Sequence, residues 1–190
     1  EANLTGAILT NVSLEKTNLI HATLNQANLS QARLANANLS SAKLIGANLR
    51  QAILEQASLT GADLTEADFS RANLHAASLG RVSAVGTQLP GANLTASDWR
   101  GANLSGANLS HANLQNANFS DTQLAGTNFS KAQLQNVNFS NADLSMADLQ
   151  GANLAEADFR GAIFVAPKPV PPDQFIQPQP NLSLSTRVNG

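Results

Sequence analysis

The sequence predicts an all-β chain wound into a squared coil of four pentads, about 20 residues to the coil and about eight coils in all. Three features predict it: an unbroken rhythm of five, side-chain types that suit neither helix nor straight strand, and aromatic residues spaced by 20. The stretch ANLSGANLSHANLQNANFS, residues 102–120, shows the rhythm. A small residue is followed by Asn, a large apolar residue, and two polar or small residues.

Counted in fives from Leu4, the central residue recurs without insertion or deletion through 33 pentads to Phe164. It is Leu in 25 of them and Phe in six, with Ala84 and Trp99 the exceptions. Two positions earlier stands Ala in most pentads, otherwise Thr17, Thr87, Thr122, Thr127, Ser97, Val12, Val82 or Val137. On an α-helix, at about 100° per residue, such a period carries successive Leu residues round the whole circumference and leaves no polar face. The Asn and Ser content also disfavours helix. On a straight strand the odd period would flip each Ala–Leu pair to the opposite face. A bend after every short extended stretch resolves both conflicts, and roughly four right-angle bends close a coil. Trp99, Phe119, Phe139 and Phe159 would then stack as one ladder. Phe69 and Phe129 share a second side, and Phe164 sits on a third.

The composition removes several classes of function. Net charge is −2, 13% of residues are charged, and Cys is absent. So weak a charge balance disfavours non-specific binding to nucleic acid or anionic membrane. Without Cys there is no disulfide scaffold, thiolate nucleophile or Cys-ligated zinc. No apolar run is long enough for a transmembrane helix, and no signal peptide is seen. The chain opens at Glu1 without Met and already in register at Ala2, which reads as a trimmed or mature product. The compartment stays open: cytoplasm is the first expectation, with periplasm and thylakoid lumen as alternatives.

ANLSG, ADLTE and ADFSR resemble the A(D/N)LXX motif of the pentapeptide repeat family, and the likeness covers residues 2 to about 166. The resemblance implies a right-handed quadrilateral β-helix with Ala-type and Leu/Phe-type residues inward. At a strand spacing of about 4.8 Å, about eight coils make a rod of roughly 40 Å. The Asn-Leu-rich style is similar to cyanobacterial members.

Two domains of unequal kind are expected: the repeat at 1–166 and a Pro-rich tail at 167–190. LGRVSAVGTQLPG, residues 79–91, is the poorest match, with Ala84 at the centre, Val85 outward and Pro90 lacking a donor. It reads as a loosened coil or bulge in a continuous helix; a seam near 80–91 between two modules and a binding notch are the alternatives. The tail holds six of the seven prolines and cannot continue a ladder of strands. It is either a tail or linker, or a cover in which Phe175 and Ile176 fold back over the last coil. At the other end, an upstream region covers Leu4 and Leu9, or that end packs against another copy.

No catalytic, cofactor-binding or metal site is expected. His21, His75 and His111 fall on different sides or levels, and Ser105, Ser110, Ser120, Ser130 and Ser140 repeat one outward position. Neither set assembles a nucleophile and base. Asn pairs such as Asn93 with Asn113, Asn108 with Asn128 and Asn118 with Asn138 are expected to form side-chain ladders.

The functional expectation is a non-enzymatic scaffold or protein-interaction module, with another protein as partner and a homodimer through a coil end as a further option. The resemblance also brings in an alternative, a DNA-mimicking inhibitor of a type II topoisomerase. From Glu55 to Asp158 ten acids oppose Arg71, Arg81, Arg100 and Lys131. Duplex DNA, at one charge per about 1.7 Å, would need on the order of 20 charges over the rod. An enzyme would require a domain outside this sequence.

Overall fold

Each pentad has five backbone N–H groups to satisfy, and the way it does so generates the coil. The structure is a computed structural model and describes residues 2–165. Leu4 N–H donates to Thr23 O at 2.7 Å and Gly6 N–H to Asn25 O at 2.9 Å, both toward the following coil. Thr23 N–H donates back to Ala2 O at 2.9 Å, and Ala7 N–H closes a turn on Leu4 O at 3.0 Å. The fifth, Thr5 N–H, has no backbone acceptor and donates to Asn3 Oδ1 at 3.2 Å.

This pattern repeats along the described chain. Parallel bridges run from Asn3↔Thr23 to Asp143↔Ile163, and each joins equivalent positions of successive coils. Among the described residues there is no helix and no long strand, only one bridge residue per pentad. Residues one coil apart therefore form columns along four walls. Wall 1 carries the column of Leu4, wall 2 that of Leu9, wall 3 that of Leu14 and wall 4 that of Leu19, each wall taken with the corner that follows it.

The corners are tight turns with positive φ at their second residue only, which is type II geometry. All 32 corners from Gly6 to Gly161 have it, and only ten of these residues are Gly. The other 22, including His21, Ala76, Lys131 and Met146, hold φ between 53° and 61°. A left-handed L-residue costs roughly 1–2 kcal/mol. The coil imposes it because the alternative would break three bonds between coils in every pentad. At Gly161, φ +70°, a Cβ would also run into Asn141 Oδ1.

Inside the square, the small and the central residues form one core that is fully covered from Ala22 to Leu144, with Leu4, Leu9 and Leu14 at the first coil and Ala147, Leu154 and Phe164 at the last only half-buried. Trp99, Phe119, Phe139 and Phe159 stack on wall 4, with neighbouring centroids 5.6, 5.7 and 5.3 Å apart. Phe129, from the opposite wall, presents its edge to Phe119 and Phe139 at 6.4 and 5.8 Å. Edge-to-face contact accommodates a ring reaching across the square, where a parallel stack is already complete. The buried hydroxyls are satisfied by carbonyls: Thr87 Oγ1 donates to Leu64 O at 2.8 Å and Thr127 Oγ1 to Leu104 O at 2.9 Å. Ser97 Oγ donates to Leu94 O at 2.6 Å and accepts from Trp99 Nε1 at 2.8 Å.

Through residues 79–91 the ladder is unbroken, with Asp63↔Ser83 and Ser83↔Asn103 in register. Pro90 O accepts from Arg71 N–H at 3.0 Å, so the missing proline donor falls at a corner N–H that the ladder does not use. The turn bond of Val82 to Leu79 is stretched to 3.4 Å, and those of Thr87, Val12 and Thr17 to 3.3 Å. All four carry a branched side chain in the place of Ala, although Thr127 closes its turn on Leu124 O at 3.1 Å. Ala84 is completely buried, so no notch reaches the surface. Phe175, Ile176 and the rest of the expected tail lie outside the described residues.

Candidate interaction surface

The outer walls face solvent along the coil, and their chemistry follows from what the pentad leaves pointing outward. The residue before the centre is Asn or Asp in 20 described pentads, and in all 20 its Oδ1 accepts the first corner N–H. These Asx turns explain the residue preference of the motif, since an Asn or Asp oxygen reaches the backbone N–H two residues on and accepts from it more strongly than a Ser or Thr hydroxyl does.

The expected Asn ladders are corrected accordingly. Asn93 and Asn113, Asn108 and Asn128, and Asn118 and Asn138 are bridged through their backbones, but their Oδ1 atoms serve the turns instead. Side-chain rungs do form between Asn93 Nδ2 and Asn73 Oδ1 at 2.9 Å, and between Asn108 Nδ2 and Gln88 Oε1 at 3.1 Å. The expected outward Ser residues are drawn in as well. Ser105 Oγ donates to Asn103 Oδ1 at 2.7 Å, and Ser120 is buried.

The histidines stand at corners of three different walls. His75 of wall 3 shares a 2.7 Å hydrogen bond between Nδ1 and Thr95 Oγ1. His111 belongs to wall 2 and His21 to wall 4. Among the described residues no group of three His, Asp or Glu is placed to hold a metal ion, and no helix is long and apolar enough to cross a membrane.

Charge is divided almost evenly. Wall 1 has Lys43 against Asp63, Glu66 and Asp143; wall 2 has Arg50, Arg71 and Lys131 against Asp68 and Asp148. Wall 3 has Lys16 and Arg33 against Glu15, Glu55 and Glu156, and wall 4 balances Arg81, Arg100 and Arg160 with Asp98, Asp121 and Asp158. Ion pairs at 2.7 Å join Arg100 to Asp98 and Arg160 to Asp158. The Arg100 guanidinium, aided by its backbone N–H, holds the Asp98 carboxyl below the usual carboxylate range against the opposing effect of burial. Arg160 does the same for Asp158. At Asp68 burial opposes ionisation most strongly, yet hydrogen bonds from Ser70 and Arg50 outweigh it and lower the pKa. Such exposed pairs add little stability.

Wall 1 differs from the other three. Of the seven exposed large apolar residues among the described residues, Ile45, Val85, Met146, Ile163 and Val165 lie on it, and Met146 is 63% exposed. From Ser83 to Gly126 this wall has no charged residue. Small residues keep it low: Gly86, Gly106 and Gly126 form one corner column, beside Val85, Ser105 and Ala125. Sequence reasoning passed over this wall, although sorting the outward residues by coil would have exposed it.

Comparison with known proteins places the chain. A model described as "Pentapeptide repeats (8 copies)" matches residues 1–36, 32–71 and 42–81. A second, "Pentapeptide repeat region", matches 92–163. The chain belongs to the pentapeptide repeat family. Among solved structures, HetL of the cyanobacterium Nostoc, a family member involved in heterocyst differentiation regulation, is 35% identical. That match covers 86% of this chain and 85% of HetL, with a TM-score of 0.39. Rfr23 of the cyanobacterium Cyanothece is 26% identical over 70% of this chain and 64% of its own, TM-score 0.35. QnrB1, a plasmid-mediated fluoroquinolone resistance protein, is 17% identical over 86% of this chain and 92% of its own, TM-score 0.48. No curated protein sequence is found to match. The two family matches leave 82–91 unassigned, the interval where the motif is weakest.

Proposed function

We propose that this pentapeptide repeat protein is a non-enzymatic scaffold that binds another protein through wall 1. We take the winding to be right-handed, the hand of the family, over about eight coils. The observation that carries the reading is the gathering, among the described residues, of five of the seven exposed large apolar side chains on one wall, beside an uncharged stretch from Ser83 to Gly126. Exposed apolar surface on an otherwise polar wall favours contact with a complementary protein surface. A rigid flat wall offers that surface without an ordering cost. The unmatched interval 82–91 supports a seam between two modules sharing one ladder.

The test is affinity capture from the native source with the wild-type chain and with Val85→Glu/Met146→Glu. Both side chains point outward, so the variant is expected to keep its unfolding midpoint and lose the captured partner. Equal capture by both proteins defeats the assignment to wall 1, and no reproducible partner defeats the scaffold reading. A gyrase supercoiling assay checks the remaining alternative. With wall charges between −2 and +1, supercoiling is expected to be unchanged at saturating protein; inhibition would replace this proposal with the DNA-mimic reading.

A further inference from the structure

On three of the walls a guanidinium answers at least one carboxylate. Arg50 pairs with Asp68 on wall 2, Arg33 with Glu15 on wall 3, and Arg100 with Asp98 and Arg160 with Asp158 on wall 4. Wall 1 has no ion pair among the described residues, and its single Lys43 faces Asp63, Glu66 and Asp143. It is the most negative of the four walls as well as the most apolar.

These acids bracket the uncharged stretch. Asp63 is bridged to Ser83 at one end, and Gln123 is bridged to Asp143 at the other. Four coil steps of about 4.8 Å therefore set the two ends roughly 19 Å apart. Asp63 Oδ1 accepts from Thr65 N–H at 3.1 Å and from Thr65 Oγ1 at 2.6 Å, and Asp143 Oδ1 accepts from Ser145 N–H at 3.0 Å. Each carboxylate is held by one oxygen, and its other oxygen meets no donor among the described residues. Glu66 leans into the stretch, since a Cβ placed on Gly86 would lie 3.8 Å from Glu66 Cγ. Val85 stands inside the bracket, and Met146 stands in the same pentad as Asp143.

We infer that the partner docks on wall 1 through a basic amphipathic protein segment. Its cations meet Asp63 and Glu66 at one end and Asp143 at the other, and its apolar side chains cover Val85 and Met146. The inference rests on wall 1 being the docking face and adds the chemistry of what docks there. Charge complementarity selects this occupant: an acidic or uncharged segment would desolvate three carboxylates without a counter-charge. A second copy presenting its own wall 1 would bring a like net charge. The ends of the bracket differ, with two acids toward the first coil and one acid beside Met146 toward the last, so the segment has one direction. Lys43, one coil beyond Asp63, disfavours a cation carried further toward the first coil.

The experiment is photo-cross-linking of the full chain in extract of the native source, with p-benzoylphenylalanine in place of Ser105, and mass-spectrometric reading of the attached segment. That segment is expected to carry Lys or Arg on both sides of the attachment point. Asp63→Asn/Glu66→Gln/Asp143→Asn keeps both Asx acceptors and the apolar side chains. It is expected to lower the cross-link yield about fivefold or more, as is raising the salt from about 0.05 to 0.5 M. Val85→Ser/Met146→Gln removes the apolar contact without changing charge and is expected to abolish the cross-link. An attached segment without basic flanks overturns the inference, as does a charge-neutralised variant that cross-links like wild type; in both cases the docking face stands if Val85→Ser/Met146→Gln still loses the cross-link. Attachment to peptides of this same chain assigns wall 1 to a second copy and overturns it too. No cross-link in the wild-type background, or one that survives Val85→Ser/Met146→Gln, removes the docking face and this inference with it.

Discussion

At the scale of the residue, two backbone demands account for most of the motif. The first is the corner N–H that no carbonyl reaches, met by Asn or Asp wherever one stands before the central residue. Asn113→Ala strips the acceptor from Gln115 N–H and is expected to cost about 1 kcal/mol in urea unfolding; Asn113→Asp should be close to neutral because the acceptor survives. The second demand is the left-handed corner. Ala96 holds φ +56°, so Ala96→Gly relieves about 1–2 kcal/mol of local strain against roughly 0.5–1 kcal/mol of added chain entropy. A net gain in unfolding midpoint is the expected outcome. The rhythm of five made the inward residues legible without a structure, because only a repeatedly bent backbone returns every Leu to the core. The Asx turns were not legible, since a repeated Asn suits a stacked amide ladder as well as a turn; the bond lengths decide between them.

At the scale of the coil, packing is constrained by a square whose walls cannot move apart without breaking the ladder. Ala84 and Trp99 are the smallest and largest central residues, and they occupy walls 1 and 4 of the described ladder, three pentads apart. Both are fully buried. If the one offsets the volume of the other, Ala84→Leu should cost about 1–3 kcal/mol by overpacking. Trp99→Leu in the same chain should recover part of that loss, a coupling readable in a double-mutant cycle. The aromatic ladder was foreseeable from its regular spacing. The edge-on entry of Phe129 was not, because the sequence shows which column a ring belongs to and not how far it reaches across.

At the scale of the molecule, stability is spread along the rod and electrostatics contributes a small, pH-dependent part. Asp98 and Asp158 have pKa values lowered by their arginines. A carboxyl whose folded pKa is depressed stabilises the fold above its unfolded pKa, near 3.9, and that contribution is lost as pH falls through the folded value. Asp98→Asn keeps the Asx acceptor and removes the titration. Its unfolding midpoint should therefore fall less steeply than wild type as acid is added below about pH 4, with little difference at neutral pH. Functionally, the sequence led to an inert outer surface and a protein partner. It did not lead to wall 1, because no single stretch of chain contains it.

The bridges fix every outward side chain on a lattice that repeats once per coil. A ligand sliding along such a lattice by one step meets nearly the same groups again, so the regular parts of a wall can grip but cannot index. Any partner that docks at one defined height must take its bearings from the irregularities: Val85, the run of low corners beneath it, and Met146.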